Sequence, residues 1–430
     1  MIIYDLPPWL IAVFLFAFGA VLGSFLNVCV HRLPKHTGLW ESFKGLNHPP
    51  SRCPKCGTRI LTRDNLPVVG WLALGGRCRA CGTRISARYP VIEFLNGLLV
   101  VALYFLEVPA GRFAPLSEMP LATPFGPVSA EFPLPDFWHV HTRFLFHLLL
   151  LEVLLVASLI DFDLMVIPKS VTDPFIPVGV LGMCLGGMYL LPVHTNHPPV
   201  VMSESALWMF DGALRPDWIG SHPHWHGLAC GLAGVAAGGL PVLLVRWIGT
   251  AVLRQEAMGM GDVYLMAMAG GFLGWQPILV ALVLSLFISL ATILAASVAG
   301  RFLPGLSQGF PFGPFLAAGC AATLFGWPWV WPRTVRLFAE MVNNWAFTAA
   351  AAVAMGISLA VLLGLLQAVK AAFGIRPPTA AEGDWTPADQ NQYLACERPH
   401  EGVGQWERPN WPGGDAGRGQ QFERQWRGRL

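Results

Sequence analysis

Residues 277–299 read PILVALVLSLFISLATILAASVA, a run that contains no charged side chain. A helix of about 20 apolar residues crosses the ~30 Å hydrocarbon layer of a bilayer. The rest of the chain has the same character, because 54% of its 430 residues are hydrophobic and only 13% are charged, whereas soluble domains carry ~25% charged residues. The mean hydropathy is +0.51. This composition excludes water-soluble enzyme classes and predicts an all-α polytopic membrane protein.

About nine transmembrane helices are predicted from apolar runs with few interior charges. The sixth run is the weakest, because Leu265 to Leu273 is too short to cross a bilayer alone and needs protein or a wet cavity around it. The first run lacks the basic start of a secretory signal, so we expect a retained helix. The predicted spans are 9–30, 90–107, 144–160, 174–191, 228–253, 263–274, 277–299, 310–328 and 346–368.

The basic residues predict the orientation of the chain in the membrane. Segment 31–88 holds eleven Lys and Arg residues but only two acids, Glu41 and Asp64. The positive-inside rule places this segment in the cytoplasm and the N-terminus outside. The Pro-, Gly- and Gln-rich tail 375–430 is expected to be a largely disordered cytoplasmic segment. A net charge of +2 is too small to indicate nucleic acid as a partner.

Four of the nine cysteines form two Cys-x-x-Cys pairs, with 21 residues between the pairs. This spacing is typical of a four-thiolate zinc site. Two disulfides are the alternative, which a reducing cytoplasm disfavours. We therefore expect a small zinc-ribbon-like insertion in the cytoplasmic loop, with a metal site at Cys53, Cys56, Cys78 and Cys81.

Three acids lie at the predicted inner ends of spans, namely Asp161, Asp163 and Asp262. Acids in such places are expensive and are therefore functional candidates. Two facing carboxylates share one proton, and such a pair can activate a water and protonate a leaving amine, as in aspartyl peptidases. The alternatives are interfacial acids that mark helix ends and, for Asp262, a helix N-cap.

Motifs in residues 20–320 resemble, in order, those of the bacterial prepilin peptidases, which are bifunctional leader peptidases and N-methyltransferases of the GxGD aspartic type. The two cysteine pairs belong to this resemblance. The other main stretches are Gly23-Ser24-Phe25-Leu26-Asn27-Val28, His31-Arg32-Leu33-Pro34, Asp64-Asn65-Leu66-Pro67, Ile85-Ser86-Ala87-Arg88-Tyr89-Pro90, Ile160-Asp161 with Ile167-Pro168, Met258-Gly259-Met260-Gly261-Asp262, and Pro311-Phe312-Gly313-Pro314.

The resemblance implies a membrane endopeptidase that removes the leaders of type IV prepilins or type II secretion pseudopilins at the cytoplasmic face of the bacterial inner membrane. The new N-terminal amine is then methylated with S-adenosylmethionine. The implied catalytic pair is Asp161 and Asp262, with Gly259 and Gly261 as supporting residues. Asp163 is the rival for the first position, but it lies two residues on and faces another side of a helix.

The same resemblance ties the cysteine loop to methylation, with zinc as its metal, and implies no metal for the peptidase step. No Gly-rich dinucleotide fingerprint is present in the sequence, so Arg88 and Glu93 are only weak candidates for binding S-adenosylmethionine. The family usually has Lys where this chain has Tyr264, and Asp or Asn where it has Lys169. Both departures bear on the electrostatics of the predicted pair.

These interpretations divide the chain into regions. Residues 1–107 are expected to form a methyltransferase-associated helix pair with the cysteine loop, 144–330 the peptidase region, and 346–368 an extra transmembrane helix. A membrane transporter whose acids carry protons, or a non-catalytic secretion scaffold with a zinc ribbon, are the alternative functions. The transporter is disfavoured because the acids are read at span ends and no internal repeat of fixed period is seen.

Overall fold

The computed structural model describes residues 7–35, 39–46, 51–53, 55–108, 122–123, 126–127, 137–186, 223–253, 258–299 and 311–372. The tail 375–430 and the end of the predicted span 174–191, from residue 187 on, lie outside these ranges. The expectations for them stay predictions.

The described part of the chain is helical apart from very short extended pieces. One antiparallel pair of two-residue strands is formed by β1 (Ala122–Thr123) and β2 (Gly126–Pro127). There are two short 3-10 turns: Leu33–Lys35 follows α1 directly, and Thr62–Asn65 lies between the two cysteine pairs. The α-helices are α1 (Pro8–Arg32), α2 (Leu39–Leu46), α3 (Val69–Ala73), α4 (Arg88–Glu107), α5 (Phe137–Leu164), α6 (Lys169–Thr172), α7 (Phe175–Gly186), α8 (Pro223–Leu253), α9 (Met260–Leu273), α10 (Trp275–Ala299), α11 (Gly313–Asn343) and α12 (Trp345–Ala372).

Six helices within the described ranges are long and apolar enough to cross a membrane, namely α1, α4, α5, α8, α10 and α12. They coincide with six of the nine predicted spans, so the prediction of a multi-pass, helical membrane protein is confirmed. The other three predicted spans fall on α7, α9 and α11. For these three helices, membrane crossing stays a prediction.

Glycines allow α1 and α4 to pack backbone against backbone. A Cβ built at Gly23 would lie 2.9 Å from Cα of Glu93, and one at Gly97 would lie 2.9 Å from the carbonyl oxygen of Phe16. Small residues at helix interfaces are the usual means of close packing in membranes, where lipid removes the hydrophobic drive for association. The segment that carries the cysteine loop is therefore anchored by a tight helix pair.

The short helix α9 lies inside the bundle, where it packs against α5, α7, α8, α10 and α11. Its residues from Asp262 to Leu273 are buried except Tyr264. A Cβ built at Gly238 of α8 would overlap the carbonyl oxygen of Met266, so glycine is required at that crossing. The protein therefore supplies the surroundings that a helix too short to span the bilayer requires.

Polar contacts link α4 to α5 at two depths inside the bundle. Near the outer end in the predicted orientation, Glu107 binds Arg143 and accepts a 2.8 Å hydrogen bond from Nδ1 of His147, all three being buried. Closer to the middle, Nδ2 of Asn96 donates to Glu152 at 2.9 Å. Glu152 lies in the middle of the predicted span 144–160. The interpretation that the acids lie at span ends was therefore wrong for Glu152.

Candidate active site and cysteine cluster

Asp161 lies in the last turn of α5 and is held by the start of another helix. Its side chain is buried, and its Oδ2 accepts a 3.1 Å hydrogen bond from the backbone N–H of Gly313, the first residue of α11. A Cβ at position 313 would overlap this carboxylate oxygen. Glycine therefore lets the amide at a helix N-terminus approach Asp161, where N–H groups favour negative charge.

Asp262 lies in the first turn of α9 and is also buried. Its carboxylate accepts a hydrogen bond from the backbone N–H of Gly259, the residue that caps the helix. Asp262 is thus the third helical residue rather than the cap itself, and its side chain reaches back as the acid of a capping box does. The N-cap interpretation of Asp262 is therefore wrong in position, although part of its carboxylate does serve the helix end.

A sharp reversal after α5 brings the two acids together. Met165 adopts φ +54°, a left-handed conformation that is unfavourable for a residue with a Cβ. The chain then inserts Ile167 between two glycines, because a Cβ at Gly261 would lie 2.8 Å from Cβ of Ile167 and one at Gly313 would lie 3.0 Å from its Cδ1. Ile167 thus packs both against Gly261, the neighbour of Asp262, and against Gly313, whose N–H binds Asp161, so the two acids lie in the same part of the bundle.

Asp163, the rival for the first position, is committed to a different contact. Its Oδ1 accepts a 2.6 Å charge-assisted hydrogen bond from Nη1 of Arg88, the first residue of α4. A carboxylate oxygen bound by a guanidinium in this way is directed toward that cation and away from a second acid. This arrangement favours Asp161 over Asp163 as the partner of Asp262.

Arg88 and Glu93, the weak candidates for binding S-adenosylmethionine, both lie at the base of the cysteine loop. Glu93 is buried, and its Oε2 accepts a 2.7 Å hydrogen bond from the backbone N–H of Val68, which has φ +60°. The contacts seen for both side chains are thus structural ones that attach the loop to α4 and α5. A role in binding the methyl donor stays a prediction.

The four loop cysteines converge on one point. Their sulfur atoms all lie within 4.8 Å of one another, with Sγ–Sγ distances of 3.8 Å for Cys53 and Cys81 and 4.0 Å for Cys56 and Cys78. A tetrahedral zinc ion with Zn–S bonds of ~2.3 Å requires Sγ–Sγ distances of about 3.8 Å. All four cysteines are unbonded thiols, so the arrangement fits a metal site and not two disulfides.

Comparison with known proteins shows the family. Residues 17–106 match the bacterial peptidase A24 N-terminal domain, and residues 148–296 match the type IV leader peptidase family. A prepilin leader peptidase/N-methyltransferase of Aeromonas hydrophila is 30% identical over 74% of this chain and 92% of its own length. The chain belongs to the type IV leader peptidase family.

Further relatives support this placement. A prepilin leader peptidase/N-methyltransferase of Burkholderia pseudomallei (strain 1026b) is 31% identical over 74% of this chain and 87% of its own. One of Myxococcus xanthus (strain DK1622) is 31% identical over 63% of this chain and 58% of its own. No solved structure matches the chain.

The two departures from the usual leader peptidase pattern contact each other. Nζ of Lys169, at the start of α6, lies 5.2 Å from the ring centroid of Tyr264 on α9. A cation at this distance from an aromatic face is attracted by the ring quadrupole. The segment after Pro168 thus remains attached to α9 beside Asp262, although neither residue is the one expected from the family.

The cysteine loop of this leader peptidase contains a local repeat. Arg-Cys-x-x-Cys-Gly-Thr-Arg-Ile occurs at 52–60 and again at 77–85. Each copy folds into the same hairpin, with Gly57 and Gly82 in left-handed conformations and with bridges that pair Arg52 with Arg59 and Arg77 with Arg84. Identical residues 25 positions apart in the sequence indicate this repeat, so the prediction of no internal repeat of fixed period was wrong for this loop.

Local hydrogen bonds tune the groups of this loop. Hydrogen bonds with Thr58 lower the pKa of the Cys56 thiol to about 6, which favours the thiolate form that binds metals. The carboxylate of Asp64 accepts two hydrogen bonds from Arg79, at 2.6 and 2.9 Å, and these hold the pKa of Asp64 below its usual range. The Arg79–Asp64 pair thus ties the second hairpin to the segment between the hairpins.

Proposed function

We propose that this protein removes the leader peptides of type IV prepilins or type II secretion pseudopilins at the cytoplasmic face of the inner membrane, and that it then methylates the new N-terminal amine. The family assignment supports both activities. The relatives named prepilin leader peptidase/N-methyltransferase match this chain across both of its family domains. Nothing in the site specifically favours a transporter or a non-catalytic scaffold.

The observation that carries the peptidase step is the meeting of Asp161 and Asp262. They lie 101 positions apart in the sequence but share one buried site, in which Gly313 and Gly259 each donate a backbone N–H to one of them. Two buried carboxylates at close range cannot both ionise easily, so one of them retains a proton. This is the arrangement that acid–base hydrolysis of a peptide bond requires.

In the proposed reaction, the ionised carboxylate takes a proton from a water molecule as the water oxygen attacks the scissile carbonyl carbon. The protonated carboxylic acid then gives its proton to the departing amine as the carbon–nitrogen bond breaks. The pair regains one proton in total, so it is ready for another cycle. Gly261 lets Ile167 pack against α9, since a Cβ there would lie 2.8 Å from Cβ of Ile167, and Gly259 lies beside the acid, where a Cβ would be 3.8 Å from Oδ2 of Asp262.

We propose zinc as the metal of the cysteine cluster. Cys53, Cys56, Cys78 and Cys81 would hold it, since their thiols converge at tetrahedral spacing. The ion would supply structural cross-linking between the two hairpins rather than chemistry on the substrate. The peptidase site has its own acid–base pair and needs no metal.

S-adenosylmethionine is the proposed methyl donor, as the methyltransferase activity of the family requires. We assign the methyltransferase-associated region to 1–107, including the cysteine loop, and the peptidase region to 144–330. The helix predicted at 346–368 falls on α12 and lies beyond both matched domains. The N-terminus is placed outside and the dyad at the cytoplasmic face, on the basis of the basic loop 31–88.

The function is tested by incubating membranes that contain the protein with candidate prepilins and measuring the mass of the product. Loss of the leader and a gain of one methyl group on the new N-terminus are the expected results. Membranes that contain Asp262→Asn serve as the control, in which the prepilin mass should stay unchanged. Unprocessed prepilin with the unaltered protein would refute the proposal for that substrate.

A further inference from the structure

The contact between Arg88 and Asp163 joins the two matched family domains at their cytoplasmic ends. Arg88 opens α4, directly after the cysteine loop, and Asp163 is the second-last residue of α5. Nη1 of Arg88 lies 2.6 Å from Oδ1 of Asp163, and the Asp163 side chain is only 12% exposed. The Arg88 side chain is 37% exposed, so the pair is shielded mainly on the Asp163 side, and it is less screened than a pair on an open surface.

The turn that this ion pair holds is under strain. Met165 follows α5 at φ +54° and donates its backbone N–H to the carbonyl oxygen of Asp161 at 2.8 Å. Such a conformation persists only where the surrounding structure over-determines it. The strained residue and the catalytic acid are thus joined by a backbone hydrogen bond, so movement of one moves the other.

Asp161 and Asp163 project from opposite sides of this last turn, because residues two positions apart in a helix are separated by about 200° around its axis. The Gly313 N–H holds the turn on the Asp161 side at 3.1 Å, and Arg88 holds it on the Asp163 side. The two contacts come from distant parts of the chain, since Arg88 lies in the N-terminal family domain and Gly313 lies beyond residue 296, where the match to the leader peptidase family ends. The turn is therefore clamped from both sides.

We propose that Arg88 and Asp163 are positioning residues of the peptidase, whose ion pair fixes the last turn of α5 so that Asp161 meets Asp262. This inference rests on the proposed function, because it assumes that Asp161 belongs to the dyad. The pair acts through the backbone and touches neither the scissile bond nor the water. It also makes peptidase activity depend on the base of the cysteine loop.

The test measures kcat and KM of leader cleavage by the purified full-length protein for Arg88→Ala, Asp163→Ala and the double variant. Each single variant should lower kcat about 10-fold, with KM changed less than about twofold, since a misplaced catalytic group slows the chemical step. The double variant should be no slower than the single variants, because each single substitution already removes the one ion pair that the two residues form. Arg88→Lys should recover most of the rate, since only Nη1 of the guanidinium binds Asp163.

Other outcomes overturn the inference in distinguishable ways. Multiplying effects in the double variant, or a failure of Arg88→Lys to recover activity, would show that the residues act separately. Unchanged kcat in all variants would show that the ion pair does not position Asp161 for catalysis. Asp161→Asn is included as a reference: if it cleaves normally, the proposed dyad fails, whereas if it is inactive and the pair variants are normal, only this inference fails.

Discussion

Gly313→Ala is the sharpest perturbation of the site, since it adds one carbon atom beside the carboxylate of Asp161, a member of the proposed catalytic pair. The new Cβ would overlap Oδ2 of Asp161 and lie 3.2 Å from its Cγ and 3.0 Å from Cδ1 of Ile167, whereas ordinary contacts lie at 3.4–4 Å. Asp161 must therefore move or lose its hydrogen bond from the Gly313 N–H. Backbone freedom is not at issue, because alanine suits a helix start as well as glycine does.

The expected loss follows from these distances. A hydrogen bond to a charged group contributes ~1.5–3 kcal/mol, and each ~1.4 kcal/mol of barrier is about tenfold in rate. Displacement of a reacting group by about 1 Å costs a similar factor, up to ~100-fold. We expect kcat for leader cleavage to fall about 10- to 100-fold, measured with purified protein at saturating prepilin.

The matched control is Gly326→Ala in the same helix, α11. Among the residues that the structure describes, a Cβ there meets only Cγ2 of Val330 at 3.8 Å, an ordinary contact. Both variants make the same chemical change in the same helix, so a difference between them reports the clash with Asp161. Near-normal cleavage by a folded Gly313→Ala protein would refute the geometry on which the site is built.

Three further changes test other parts of the structure. Cys78→Ser should lower zinc content, measured by atomic emission, and methylation of the processed N-terminus more than it lowers leader cleavage; full zinc content would count against the four-thiolate site. Gly238→Ala should reduce the yield of folded protein in size-exclusion chromatography, because its Cβ would overlap a backbone carbonyl of α9, while Gly364→Ala, whose Cβ would meet no atom of the described residues within 4 Å, should not. Glu107→Ala leaves the buried Arg143 without its carboxylate, so the melting temperature should drop by an amount that reflects about 3–5 kcal/mol; an unchanged melting temperature would contradict that pairing.

The predicted chemistry depended on local patterns that a single segment contains. The cysteine spacing predicted a convergent cluster because each Cys-x-x-Cys turn orients its own two thiols. Asp161 and Asp262 were predicted as functional because each lies at one end of an apolar run, where a carboxylate is costly. Each of these patterns lies within a few neighbouring residues, so it can be recognised from the sequence without knowledge of the fold.

The remaining features arise from contacts between distant segments. Ile167 fits between Gly261 and Gly313 only after three separate parts of the chain have come together. No periodicity in any one of them indicates that a glycine at 313 will face a carboxylate at 161. Likewise, the partner of Asp163 lies 75 positions away in another domain. Helix geometry alone therefore gave only part of the argument for Asp161 over Asp163.

Counting spans was limited by a similar ambiguity. A 14-residue apolar helix such as α9 has the composition of a membrane span, but its length fits a core helix equally well. No polar contact was predicted for Glu152, because its neighbours in the sequence are strongly apolar. Its partner Asn96 belongs to a different helix, and only the packed structure shows how that acid is accommodated.

The central claim, that Asp161 and Asp262 form the catalytic pair, is tested most directly by comparing Asp161→Asn, Asp262→Asn and Asp163→Asn in one prepilin cleavage assay. The initial rates of the first two should fall at least ~10²-fold, since each removes an acid–base group, while Asp163→Asn should cleave at least tenfold faster than either. Asp161→Asn that processes prepilin at the normal rate, together with an inactive Asp163→Asn, would contradict the account.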